Sequence, residues 1–331
     1  MSTTATPKVA LLFPGQGSQT VAMGHSPSET YPAARAVFEE ADDALNFALS
    51  HIIFNGPEDL LKLTEHTQPA ILTVSIAALR VLEPELKSRN LAPAFAAGHS
   101  LGEYSAHVAA GTFTFADAVC TVRARGRFMQ SAVPAGEGAM AAILGLPVAQ
   151  IIDICARVSD TATQPPLGSS IVVSPANLNS PDQTVISGSK SAVERAAELC
   201  KEAGAKRTVM LPVSAPFHCA LMQPAQEQLA RQLESIPFHD PTIPVASNVD
   251  ARLLTRGPDV RDALIRQVTG AVRWVECIGL LQQSGVTNYI EVGPGKVLTG
   301  LNRQIDRALI TTNVEDPASL EKTLIALSSE I

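Results

Sequence analysis

A chain of 331 residues with 46% hydrophobic and 17% charged side chains is long enough for more than one compact core, and too apolar to be disordered or fibrous. Its formal charge of −7, without a long basic run, argues against nucleic acid as a general partner, and no stretch approaches the length of a membrane span. The five cysteines are odd in number, far apart and never in a C-x-x-C pair. Neither a metal site nor a disulfide framework is therefore indicated, no cofactor is expected, and the cytoplasm is the expected compartment.

Residues 9–13 form a short, wholly apolar run of the kind that makes a buried parallel strand, and it ends in the loop 14–19. Helices are predicted over 33–49 and 68–82. The small apolar run 94–97 then enters Gly98-His99-Ser100-Leu101-Gly102, and a helical stretch follows over 103–110. This is G-x-S-x-G between a strand and a helix, where the serine can sit on a sharp turn with its hydroxyl exposed and the next helix aimed at it. A further helix is predicted over 115–133.

The character changes near Pro134. A strand (139–144), a helix (148–158), a loop (161–169), two short strands (170–174 and 183–187), a helix (192–203) and a strand (207–213) follow in the order β-α-β-β-α-β, the ferredoxin-like arrangement. After it come a helix over 218–233, a strand over 244–248, a helix over 260–268, and a strand over 287–292 that runs into Gly293-Pro294-Gly295. The expected fold is α/β: an α/β-hydrolase-like core with a parallel sheet, built from residues 1–133 and 207–331, with a ferredoxin-like subdomain inserted over 134–206.

A nucleophilic Ser100 needs a base. Of the seven histidines, His218 follows a predicted strand end and opens a predicted helix, so it reads either as that base or as a plain helix-start histidine. The aspartates between Ser100 and His218 (Asp117, Asp153, Asp160, Asp182) lie at no obvious strand end, which leaves the partner of the imidazole open. In the helix over 115–133, with Val122 as zero, Arg125 falls at about 60°, beside Ala118 and Met129 within about 40°. Arg123 and Arg127 fall at about 100° and 140°, on the other side. A cation on the apolar face needs an anion, either in a structural salt bridge or as a clamp on a substrate carboxylate. The loop 15–19 lacks the spacing of a dinucleotide site, and 293–297 that of a phosphate-binding loop.

Six segments, taken in order, resemble the malonyl-CoA:acyl carrier protein transacylases of type II fatty-acid synthesis. They are the Phe13-to-Gln19 loop, the Gly98-to-Ser105 elbow, Arg125-Gly126, Asn177-Leu178-Asn179-Ser180-Pro181, the Pro216-to-Met222 segment and the Glu291-to-Leu298 segment. The resemblance covers almost the whole chain. It implies that Ser100 is the acylated nucleophile, that His218 is its base, and that the backbone N–H groups of Leu101 and Gln16 form the oxyanion hole. It also implies that the backbone carbonyl of Gln267 orients the histidine in place of an acid. Arg125 would clamp the malonyl carboxylate, with Phe217, Asn177, Asn179 and His99 also at the substrate. Lys206, Arg207 and Arg303 would dock an acidic carrier protein. The implied partners are malonyl-CoA and holo-acyl carrier protein, with the chain expected as a monomer. Phe217 departs from the serine of many bacterial members and is expected to fill the space a 2-methyl branch would need. A serine esterase or thioesterase shares the elbow but has no use for a buried Arg125. A polyketide-type acyltransferase is nearer, and a scaffold with a dead site the most distant.

Overall fold

The computed structural model describes residues 8–160, 171–213 and 215–328. In chain order its strands are β1 (Val9–Phe13), β2 (Pro93–Gly98), β3 (Gly138–Leu144), β4 (Val173–Ser180), β5 (Gln183–Ser189), β6 (Arg207–Met210), β7 (Val245–Ala246), β8 (Leu253–Leu254), β9 (Asn288–Val292) and β10 (Ile310–Val314). They form a six-stranded sheet, ordered β10-β9-β1-β2-β7-β8, and a four-stranded sheet, ordered β4-β5-β3-β6.

The large sheet is parallel from β10 to β7, and only β8 runs antiparallel. β1 and β9 are buried at every position, as expected for strands covered on both faces. Phe13 pairs with Gly98, so the loop after β1 and the turn after β2 emerge side by side at the carboxyl edge, where open α/β sheets build their sites. The His99 N–H donates to Phe13 O at 3.0 Å and ties the two together.

The small sheet is wholly antiparallel, with helices Val148–Asp160 and Lys190–Glu202 packed on it around Ile143, Ile151, Ile154, Ile186, Val193 and Cys200. This is the ferredoxin-like order, set beside an α/β-hydrolase-like core. The boundary expected at 206/207 falls one strand early. Arg207–Met210 pairs with β3, because the fourth strand of a β-α-β-β-α-β unit must close the edge beside the first. The two units are joined where Val272 donates to Ala176 O and accepts from the Leu178 N–H, both at 2.8 Å.

Other elements also differ from expectation. The helix predicted over 68–82 runs from Thr64 to Ser88. Its first turn is polar in sequence yet buried at Thr64, Thr67 and Gln68. The segment predicted as a helix over 218–233 starts its α-helix at Gln223, after a 3-10 turn at Ala220–Met222. His218 stands before both, at a φ of 59°. The strand expected over 244–248 is only Val245–Ala246. The loop expected over 161–169 lies outside the described residues. No described helix is long and apolar enough to cross a membrane.

The helix Phe115–Ser131, which carries Arg125, packs tightly on the start of Thr64–Ser88: a Cβ on Gly126 would lie 2.5 Å from Thr64 O. Gly126→Ala is expected to cost about 1–3 kcal/mol in urea denaturation. Gly279→Ala, in the helix Trp274–Gln283 with open space at its Cβ, is expected to gain up to about 1 kcal/mol from helix propensity. Equal stability of the Gly126 variant and the parent would contradict this packing.

Candidate active site

Ser100 sits at the turn between β2 and the helix Gly102–Ala109, in the left-handed region at φ 51°. The glycines at either side are dictated by space. A Cβ on Gly98 would lie 1.9 Å from the Gly102 backbone, and one on Gly102 would lie 2.0 Å from Phe13 O. The turn is held by neutral amides. The Ser100 N–H donates to Asn248 Oδ1 at 2.7 Å, and Gln267 Nε2 donates to Ser100 O at 2.9 Å. Because the Ser100 N–H is occupied, it is not available to an oxyanion. The backbone N–H groups of Leu101 and Gln16 donate to no protein acceptor among the described residues, and both residues line the same cleft.

His218 Nε2 lies 2.7 Å from Ser100 Oγ, and its Nδ1 lies 2.9 Å from Gln267 O and 3.1 Å from Gly270 O. Two carbonyl acceptors at Nδ1 fix the proton there and leave Nε2 with its lone pair toward the hydroxyl. No carboxylate among the described residues bonds this ring. Burial, reinforced by the Arg125 charge, pushes the His218 pKa down to about 3, so the imidazole is neutral at physiological pH.

Arg125 is 1% exposed, whereas Arg127 is exposed and Arg123 half-buried, as their positions around the helix require. Its Nη1 donates to Gln68 Oε1 at 2.7 Å, and its Nη2 to Gln267 Oε1 at 2.9 Å and Ser100 Oγ at 3.2 Å. The guanidinium lies 5.5 Å from the Tyr104 ring centre, and its Nε has no hydrogen-bond partner. Burial pulls its pKa down against the opposing pull of Tyr104 and Glu103, yet an arginine remains charged. No carboxylate among the described residues lies within ion-pair distance of it. A buried cation satisfied only by neutral oxygens is the arrangement a substrate carboxylate would complete.

These groups open on a cleft of about 420 Å³ lined also by Gln16, Lys62, Met129, Met140, Asn177 and Phe217. Asn179, expected at the substrate with Asn177, is not on the cleft wall. Its Oδ1 lies 2.8 Å from His99 Nε2, and its Nδ2 donates to Gln183, which fixes the His99 ring at the cleft edge. Lys206, Arg207 and Arg303 are exposed, and none lines the cleft. Sequence reasoning missed Gln68, Asn248, Glu103 and the side chain of Gln267. Gln68, Asn248 and Gln267 are uncharged, have no motif chemistry of their own and are brought to Ser100 only by the fold, whereas Glu103 directly follows the elbow and is marked out only by its burial.

Residues 10–309 match the acyl transferase domain family. The malonyl CoA-acyl carrier protein transacylase of Bacillus subtilis (strain 168) is 48% identical over 323 residues, covering 98% of each chain. The crystal structure of an acyl carrier protein S-malonyltransferase from Vibrio cholerae superposes with a TM-score of 0.89 at 48% identity, covering 96% of this chain and 99% of that one. A malonyl-transacylase solved in complex with its type II PKS acyl-carrier protein gives a TM-score of 0.89 at 44% identity, covering 96% and 99%.

The depressed pKa has a direct signature. An unperturbed histidine titrates near 6.5 and would be mostly protonated at pH 5, whereas His218 is expected to stay neutral with its proton on Nδ1. Imidazole nitrogen NMR of the labelled protein between pH 8 and 5 checks this. A His218 resonance moving through a midpoint near 6.5 would contradict the assignment.

Proposed function

The chain belongs to the malonyl-CoA:acyl carrier protein transacylase family, and we propose that it moves the malonyl group from malonyl-CoA to the phosphopantetheine thiol of holo-acyl carrier protein through a malonyl-Ser100 ester, supplying fatty-acid synthesis. One observation carries this reading. Ser100 Oγ lies against a neutral histidine nitrogen at 2.7 Å and a buried arginine at 3.2 Å.

In the first half-reaction the Ser100 Oγ attacks the thioester carbonyl carbon while its proton passes to His218 Nε2. The oxyanion so formed is held by the N–H groups of Leu101 and Gln16; loss of one such donor typically costs about 3–4 kcal/mol. The C–S bond then breaks, and the CoA sulfur takes the proton from His218. In the second half the carrier thiol gives its proton to His218 as its sulfur attacks the ester, and Ser100 leaves with that proton. Throughout, Arg125 holds the far carboxylate of the malonyl group. A charge-assisted hydrogen bond is worth roughly 1.5–3 kcal/mol, and an acetyl group that forfeits it also leaves the cation unpaired. Phe217 is 8% exposed on the cleft wall, which supports reading it as the side chain that fills the space a 2-methyl branch on the malonyl group would need. Exposed Lys206, Arg207 and Arg303 offer positive charge to an acidic carrier. The free cysteines suit a reducing cytoplasm.

Intact-mass measurement after mixing with malonyl-CoA or acetyl-CoA tests the reading. A malonyl adduct is expected on the parent chain and none on Ser100→Ala. Arg125→Ala is expected to lose tenfold or more of the malonyl-over-acetyl preference. Rapid hydrolysis of either thioester without preference would instead identify a hydrolase.

A further inference from the structure

The nucleophile and the cation do not touch a common charged group, yet one buried side chain connects to both. Glu103, in the first turn of the helix after the elbow, is wholly buried. Its Oε2 accepts from Gln267 Nε2 at 2.7 Å and from the Asn248 backbone N–H at 3.1 Å. Each of those partners then reaches the site. Gln267 Nε2 also donates to Ser100 O, and Gln267 Oε1 accepts from Arg125 Nη2 at 2.9 Å. Asn248 Oδ1 accepts the Ser100 N–H, and its Nδ2 donates to Gly98 O at 2.7 Å.

The sense of the Gln267 amide is therefore decided by its surroundings. Turned over, its oxygen would face the Glu103 carboxyl and the Ser100 carbonyl, and its NH₂ would face a guanidinium: two acceptor pairs and one donor pair in a buried place. An unmatched polar group there costs about 1–3 kcal/mol. The outer oxygen of Glu103 has a different environment. Oε1 has no hydrogen-bond partner and lies 4.0 Å from His107 Nε2, which also has none. The contacts that reach the site thus run through one oxygen of Glu103.

We propose that Glu103 is a positioning residue for transfer: as an acceptor, through Gln267 it aims the Arg125 guanidinium, and through Asn248 it fixes the Ser100 turn. This rests on the reading of Arg125 as the malonyl clamp. What the site requires of residue 103 is one oxygen acceptor, not a negative charge, since Gln267 stands between it and the cation. Burial agrees with that requirement, pushing the Glu103 carboxyl up to about 7 and so weakening its hold on a charge near neutrality.

The test compares Glu103→Gln, which keeps an acceptor oxygen, with Glu103→Met, which fills the space without one. Gln267→Met is the second variant; it removes the relay and leaves the backbone carbonyl at His218. Each folded protein is assayed for kcat and KM with malonyl-CoA and acetyl-CoA. Glu103→Gln is expected to keep the malonyl-over-acetyl ratio of kcat/KM within about threefold. Glu103→Met and Gln267→Met are each expected to lower it tenfold or more, with a raised malonyl KM. A purely structural role would reduce folded protein and leave the ratio alone. The proposal is overturned if Gln267→Met, or a folded Glu103→Met, keeps the parent ratio, or if Glu103→Gln loses as much as Met. A parent chain that takes no malonyl group at Ser100 would overturn the underlying reading itself.

Discussion

The close crossing of three backbones, at the ends of β1 and β2 and the start of the next helix, is the constraint on which the site depends. Gly102 lies so near Phe13 O, and Gly98 so near Gly102, that no side chain fits between them. That crossing bends the chain so sharply that Ser100 is left at φ 51°, a conformation that costs of order 1–3 kcal/mol for a residue other than glycine. The strained turn is held from both sides, since the Ser100 N–H donates to Asn248 Oδ1 and the Ser100 carbonyl accepts from Gln267 Nε2. The same crossing brings the 14–19 loop alongside, which is why Gln16 and Leu101, 85 positions apart in the numbering of one chain, line one cleft.

Around that turn the polar groups are mostly uncharged, and the buried guanidinium explains the choice. Removing a cation from water costs several kcal/mol after relaxation, and a carboxylate partner is the usual remedy. Here the acceptors are two glutamine oxygens, a hydroxyl and an aromatic face. They stabilise the cation enough to fold around it without neutralising it. Part of its demand for a negative charge is left for a ligand, and in the proposed reaction that remaining demand is what would separate a diacid thioester from a simple one.

Much of this was legible in the residues. The apolar run at 9–13, the glycines at 98 and 102, and the helical position of Arg125 each have a local physical cause, and each stands in the structure where its pattern puts it. The β-α-β-β-α-β order is readable too, including its last strand; what the sequence misplaces is the boundary, because β6 is short and exposed at both ends and looks like a lead-in to the next segment. β10 carries no local signal: Ile310–Val314 mixes threonine and asparagine into an edge strand, so neither alternation nor a continuous apolar run marks it. His218 looked like the first residue of a helix because Pro216 and the following periodicity suggest one. Its left-handed backbone depends on tertiary contacts that no local pattern encodes. The amide network failed to register for a related reason. Gln68, Asn248 and Gln267 have no intrinsic reactivity, and their importance lies in which way each amide faces, a property of the assembled fold.

The carbonyl partners of His218 follow from the same constraint. A carboxylate at Nδ1 would raise the basicity of the imidazole and stabilise the imidazolium, as in a Ser-His-Asp triad. It would also bring a negative charge into the neighbourhood of Arg125 and, by pairing with it or repelling an incoming carboxylate, weaken the clamp proposed for the malonyl carboxylate. Two carbonyls orient the ring and fix its tautomer without adding a charge. The consequence is a weak base, its pKa held down by burial and by the cation nearby. Weak basicity is tolerable for this chemistry. The proton need not rest on His218, because the leaving group in the first half-reaction is a thiolate, which departs far more readily than an alkoxide and takes the proton on. In the proposed reaction, a site that keeps a buried cation available for its substrate orients its base with dipoles, and the thiol leaving group of the first half-reaction makes a weak base sufficient for that step.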